Sequence, residues 1–314
     1  NVIHQQRPCD VHIVGNRIKS IAPTLKLSAD QVIDGHGRLA VMPAFYNSHT
    51  HAAMTLLRGY ADDLELFTWL SKYIWPAEER LSAEDIYAGS RLANLEMIKS
   101  GTVFYNDMYW LPTETARAVE EMGMRAMLGM LMICGEDGEV LPRNRKANQA
   151  LLEKADELPG RIRISYAPHA CYTVSEKILR RLADDAREKG RYVHIHAAES
   201  RREVEDCRNA HGGLSPIAYL DRLGVLSERC VLAHCVHLSE EDIAIIRERG
   251  AVISHMPASN MKLSSGNFNF QAVAEKGRCR VTIGTDGCAS NNNLSMLEEM
   301  KLAALLAKAC SSDP

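Results

Sequence analysis

From about residue 41 the chain repeats one step: a short apolar run, then an amphipathic stretch. The runs are LAVMPAFYNSH, GTVFYNDM, RAMLGMLMI, RIRISYAPH, RYVHIHAAE, CVLAHCVH, AVISHMPAS and RVTIGTDG. Continuous apolar strands bounded by polar residues suit a parallel sheet covered on both faces. The helices between them have legible ends. Ser82 with Asp85 opens one that Gly101 closes, and Ser239 with Asp242 opens another that Gly250 closes. Eight such steps predict an α/β fold, a (β/α)8 TIM-like barrel over residues 41–314.

Residues 1–40 read differently. DVHIVGNRIKSIA and QVIDGHGRLA are short strands broken by Gly-Asn and Gly-His-Gly turns, the N-terminal part of a small β-sandwich domain. GHGRLA matches G-x-G-x-x-A, but it leads into another strand instead of opening a helix, which excludes a dinucleotide site, and no P-loop pattern occurs.

A formal charge of −3, with Lys and Arg interleaved among acids as in ILRRLADDAREKGR, argues against nucleic acid as a partner. The nucleobase-editing deaminases need H-x-E with P-C-x-x-C, which is absent. Nine cysteines are scattered without a C-x-x-C pair, as expected of reduced thiols in a cytoplasmic protein. No apolar run approaches bilayer length and no signal segment opens the chain, so no membrane partner is expected. The chain begins at Asn1, not Met, and preceding residues are expected.

Barrel enzymes carry their chemistry at the C-terminal ends of the strands. Here those ends hold His49-Thr50-His51, Pro168-His169, His194 to Glu199, Ala233-His234-Cys235 and Thr285-Asp286-Gly287. A His-x-His on a strand aims both imidazoles to one side. Alone, that pair also fits a solvated strand face; that so many of the chain's twelve histidines concentrate at one rim points to a metal. Imidazoles with one carboxylate suit Zn2+, with Fe2+ as the alternative, and not Mg2+ or Ca2+. The expected ligands are His49, His51, His196 and Asp286, with water completing the shell. The strand-four rim offers no lysine or glutamate to bridge a second ion, so one metal is expected.

With these residues in view, the chain resembles the amidohydrolase superfamily, in its branch of methylthioadenosine/S-adenosylhomocysteine deaminases and related triazine hydrolases. MPAFYNSHTH, NDMYW, APHACYT, HIHAAES, LAHCVHL, SHMPASNMKLSSG and GTDGCASNNNL fall in family order along essentially the whole chain. The family has Gly where this chain has Ala44, a departure expected to be minor. Relatives continue well past the eighth strand, so the small β domain is expected to be incomplete here.

The resemblance implies a mononuclear metal at the positions named, Glu199 as proton shuttle and His234 beside the activated water. Asp286 would take the water's proton, while Glu199 protonates a ring nitrogen and later the departing ammonia. Glu78 would accept hydrogen bonds from ribose hydroxyls and His169 would meet the purine edge. Trp69, Trp75 and Leu66 could form an apolar wall, and Arg143 or Arg145 could contact the 5′ side. The expected function is hydrolytic deamination of 5′-methylthioadenosine or S-adenosylhomocysteine. The alternatives are an aminohydrolase or chlorohydrolase of another nitrogen heterocycle (triazine or guanine), or a non-catalytic barrel acting as a binding module. The expected partners are the nucleoside and further copies of the chain, as a homo-oligomer.

The remaining histidines have plainer readings. His194 is a satisfied core histidine, His255 is structural, and His4, His12, His36, His211 and His237 are surface or loop residues. Asn291, Asn292 and Asn293 knot the last loop through side-chain hydrogen bonds.

Overall fold

The structure, a computed structural model, describes residues 8–311. The chain divides into two units at Ala44/Phe45. His4 and the rest of residues 1–7 lie outside the described residues.

In the first unit β1 (Asp10–Val14) pairs antiparallel with β2 (Arg17–Ala22), Ile13 opposite Ile18 and Val14 opposite Arg17. Gly15 takes φ +59° in the turn, where a Cβ would be strained. The strand expected in QVIDGHGRLA is not formed: residues 31–40 carry only a turn, in which Arg38 N–H donates to Gly35 O. Among the described residues this stretch joins neither sheet, and Val32 and Ile33 are each 79% exposed.

The second unit holds β3 (Phe45–Thr50), β4 (Thr102–Asp107), β5 (Arg125–Met132), β6 (Ile162–Pro168), β7 (Val193–Ala197), β8 (Cys230–His234), β9 (Val252–His255) and β10 (Arg280–Ile283). They lie side by side in chain order, and every pair is parallel. This is the expected eight-stranded α/β barrel, nearly closed. β7 is buried at all five positions, as a strand in a doubly covered parallel sheet must be. The helices begin and end where their caps predict. Ser82 and Ser239 form capping boxes with Asp85 and Asp242 at the starts of Ala83–Lys99 and Glu240–Arg249, and Gly250 closes the second at φ +65°. No helix among the described residues is long and apolar enough to cross a membrane.

No ladder joins β10 to β3. Their seam is held instead by the residues that end the two strands. Thr285 and Asp286 N–H both donate to His49 O (3.1 Å), Ser48 Oγ donates to Ile283 O (2.8 Å), and Asn47 Nδ2 donates to Thr285 Oγ1 (2.7 Å). A Cβ on Gly284 would stand 2.8 Å from His49 N and O, so only glycine permits this approach.

Candidate active site

The rim residues singled out in the sequence come together at one end of the barrel. His49 is the penultimate residue of β3, and His51 opens the short helical turn Ala52–Leu57 that follows it. Asp286 follows β10, with its Oδ1 3.1 Å from His49 Nε2 and 3.2 Å from His51 Nε2. His49, His196 and His234 form one group able to hold a metal ion, and His49, His51 and Asp286 form another, with donor atoms within 4.8 Å of one another in each.

The residues fit a divalent cation because of what their outer atoms do. His51 Nδ1 donates to Met108 O (2.6 Å), His196 Nδ1 to His169 O (2.7 Å) and His234 Nδ1 to Asn260 Oδ1 (2.9 Å). With Nδ1 so engaged, each ring points Nε2 inward, the atom through which a metal-binding histidine coordinates. Electrostatics favour positive charge at the same point. Burial pushes the Asp286 carboxyl up, but the hydrogen bonds from His49 and His51 outweigh it and hold the group well below the usual range. Burial pulls His51 down, while Asp286 and the Met108 carbonyl raise it to about 9. A pocket that favours a proton so strongly also suits a cation in its place.

Glu199 lies just past β7. Ala198 at φ +51° makes the turn that brings it back over the site. Its Oε1 accepts from Ser265 Oγ (3.1 Å), and its Oε2 stands 3.6 Å from His234 Nε2. Burial raises its pKa against the pull of His234. His234 (φ +72°), Cys235 (+52°) and Asp286 (+61°) also take left-handed backbone, so three of the chemical groups sit on or beside strained turns.

A cavity opens over these groups. Leu66, Trp69, Leu70, Ile74 and Trp75 from the segment after β3 line it, with Tyr109 and Trp110 from after β4. Glu78 is 6% exposed among them; burial raises its carboxyl, and Trp110, Tyr109 and Arg143 oppose that rise. His169 lines the cavity with its Nδ1 3.0 Å from Thr173 Oγ1. Burial and the neighbouring histidines lower it to about 3, which makes it a neutral ring. Arg143 lies 3.7 Å over the ring of Trp110, which lines the cavity. Arg143 and Arg145 are both exposed, and neither lines the cavity. Both arginines belong to the helix Pro142–Glu153, where a two-residue step turns one side chain well away from the other.

Several residues that the sequence reading passed over hold the site together. Ser259 and Ser290 hydroxyls donate to Asp286 Oδ2 (2.6 and 2.9 Å). Glu203 accepts from Ala198 N–H (3.0 Å) and Glu199 N–H (2.8 Å), which fixes the Glu199 turn. Its signal was available: Ser200-x-x-Glu203 reads as a capping box, but the carboxylate reaches past the cap to the preceding turn. Asp107 ends β4, accepts from Ala52 N–H (2.7 Å) and is raised to about 6 by burial. It stands at the same strand end as the other rim groups.

One plainer histidine reading needs correction, and a second, His237, lies in a loop as expected but has a structural partner. His194 is not fully satisfied: Nε2 is 2.7 Å from His49 Nδ1, and Nδ1 has no partner among the described residues. His237 is half-buried, with Nε2 2.6 Å from Ser265 O, and so anchors the residue that holds Glu199. His255 stacks on Phe268, and His211 on Tyr219. The asparagine run does knot its loop: Asn291 donates to Thr285 O and Glu299, and Asn292 accepts from Lys262.

Comparison with known proteins places this geometry. A model described as the amidohydrolase family matches residues 40–314. A 5′-deoxyadenosine deaminase of Methanosarcina acetivorans is 47% identical over 308 residues, 97% of this chain and 70% of that one. A 5-methylthioadenosine/S-adenosylhomocysteine deaminase of Pelotomaculum thermopropionicum is 46% identical over 316 residues, 98% of this chain and 71% of that one. Among solved structures, a zinc-bearing adenosine deaminase from Xanthomonas campestris superposes with a TM-score of 0.81 at 38% identity. That match covers 87% of this chain, which spans 62% of the other.

Proposed function

The chain belongs to the amidohydrolase family, and from that premise we propose that it is a hydrolytic deaminase of adenosine-type nucleosides that works with one divalent ion, Zn2+. The observation that carries the reading is the convergence of His49, His51, His196 and Asp286 beside a buried Glu199. The relatives named for 5′-deoxyadenosine and for 5-methylthioadenosine/S-adenosylhomocysteine share an adenosine that lacks a free 5′-hydroxyl. We therefore assign the chain this class, with 5′-methylthioadenosine and 5′-deoxyadenosine as first substrates.

The reaction replaces the C6 amino group by oxygen: water adds to C6, and ammonia leaves. A bound divalent ion supplies the Lewis acidity that brings water's pKa from 15.7 to about 7. The remaining work falls to the chain's own groups. Asp286, held low and fixed through Oδ2 by Ser259 and Ser290, accepts the water's proton on Oδ1. His234, held through Nδ1 by Asn260, presents Nε2 to the attacking oxygen. Glu199 gives its proton to the ring nitrogen beside C6, making that carbon electrophilic; it then takes the hydroxyl proton of the C6 adduct and passes it to the leaving ammonia, and the proton held by Asp286 restores Glu199 for the next cycle. Glu78, a buried carboxylate on the cavity wall, takes the ribose hydroxyls, and His169 meets the purine edge. Arg143, over Trp110, is assigned to the 5′ side ahead of Arg145. A cytoplasmic setting accords with the buried free thiols Cys171, Cys207, Cys230, Cys235, Cys279 and Cys288, and we extend the proposal to a homo-oligomer.

The test is the absorbance change from adenosine-like to inosine-like base, with ammonia release, on both nucleosides with zinc-loaded protein. Turnover that a chelator abolishes and Zn2+ restores is expected. Metal-loaded protein that leaves both nucleosides intact but attacks guanine or a triazine would overturn the nucleoside assignment.

A further inference from the structure

His194 lies on β7, two residues before His196 and one layer deeper in the barrel. Its side chain is fully buried and meets His49 edge to face, with ring centroids 4.8 Å apart at 82°. Its Nε2 is 2.7 Å from His49 Nδ1, and its own Nδ1 has no hydrogen-bond partner among the described residues.

The other three converging histidines give Nδ1 to an oxygen: Met108 O, His169 O and Asn260 Oδ1. Those oxygens can only accept, so each ring's tautomer is fixed. His49 alone gives Nδ1 to a ring nitrogen, which can either donate or accept. Were His194 to donate through Nε2, His49 would carry its proton on Nε2, the atom facing Asp286 Oδ1, and could not act as a ligand. With His194 accepting, the His49 proton sits on Nδ1 and the Nε2 lone pair is free. His194 then holds its own proton on Nδ1, toward no partner.

A buried N–H without an acceptor is unfavourable, and an apolar side chain at this position would avoid it. The histidine is accounted for by what Nε2 does for His49. We infer that His194 is a positioning residue that selects the metal-binding tautomer of His49 and thereby sets the affinity of the site for a divalent ion. The inference rests on the metal reading above and on no particular substrate.

The test compares Zn2+ affinity, by competition with a chromophoric chelator, in the unaltered chain, H194L and H194Q. Removing the acceptor in H194L is expected to weaken Zn2+ binding about ten- to a hundredfold. The amide oxygen of H194Q can still accept from His49 and should restore most of that loss, which a purely packing role for His194 would not predict. H194L that binds Zn2+ as tightly as the unaltered chain overturns the inference. If H194L does not fold, imidazole ¹⁵N spectra of the unaltered, zinc-loaded protein decide. His49 and His194 both protonated on Nδ1 is the expected result, and a proton on His194 Nε2 overturns it. An unaltered chain that binds no Zn2+ sinks the metal reading and this inference together, whereas a fully competent H194L sinks this inference alone.

Discussion

The two sides of the cavity are built by different means. On the side formed after β7, β8, β9 and β10, each reacting group is held by directional bonds: Glu199 by Ser265, His234 by Asn260, and Asp286 by Ser259 and Ser290. Three of those four supports come from one short stretch after β9, residues 259–265. On the opposite side Leu66, Trp69, Leu70 and Ile74 pack as an apolar cluster with Tyr109, and a lone carboxylate, Glu78, is set into it. Hydrogen bonds fix an angle, whereas packing fixes a shape. On the function proposed above, the first side governs the chemical step and the second governs which molecule enters.

Substitutions can break that comparison. E199Q removes the proton shuttle and should lower kcat about a thousandfold, within the range for general acid–base groups, while Zn2+ content stays unchanged; near-normal turnover in E199Q would remove Glu199 from the mechanism. N260A frees the His234 ring without touching substrate. We expect kcat to fall about a hundredfold, the scale of a misplaced reacting group, with KM nearly unchanged. An N260A effect confined to KM would erase the division between the two sides. E78A should act in the opposite sense, lowering kcat/KM for nucleosides about tenfold or more, chiefly through KM, as loss of a charged hydrogen bond does. If E78A leaves nucleoside turnover intact, the ring without ribose becomes the better substrate class.

The smallest effect concerns stability. Burial raises Glu299 to about 7 from an ordinary 4.5, although it accepts from Ala258 N–H and Asn291. The folded chain therefore holds this proton where the unfolded chain has lost it. The stabilisation is full below about pH 4.5 and is lost as pH rises through about 7. E299Q should flatten that part of the pH–stability curve, read as Tm at pH 5.5 against pH 8. An unchanged difference between the two Tm values would place the carboxyl's pKa near its ordinary value.

Much of the frame was legible because it rests on local rules. Strand and helix periods, the capping boxes at Ser82 and Ser239, and the ligand types at strand ends depend on neighbours in sequence. The residues that went unseen depend on neighbours in space. Asn260 reaches His234 across 26 positions and Ser265 reaches Glu199 across 66, and nothing local in PASNMKLSSG marks a serine or asparagine as anything but loop. His194 misled for the same reason, since its partner His49 lies 145 residues away. QVIDGHGRLA failed in the other sense: its residues favour a strand, but a strand also needs an edge to join.

The seam between β3 and β10 carries one further consequence. Its bonds join Asn47, Ser48 and His49 to Ile283, Thr285 and Asp286, pairs more than 230 positions apart. Contacts that distant carry the largest loop-closure cost and form late as a chain folds. The same event that fastens the first strand to the last also brings His49 against Asp286. A partly folded molecule, however much of its sheet is in place, lacks the pair on which the chemistry depends, so catalytic competence doubles as a proofreading mark of completed folding.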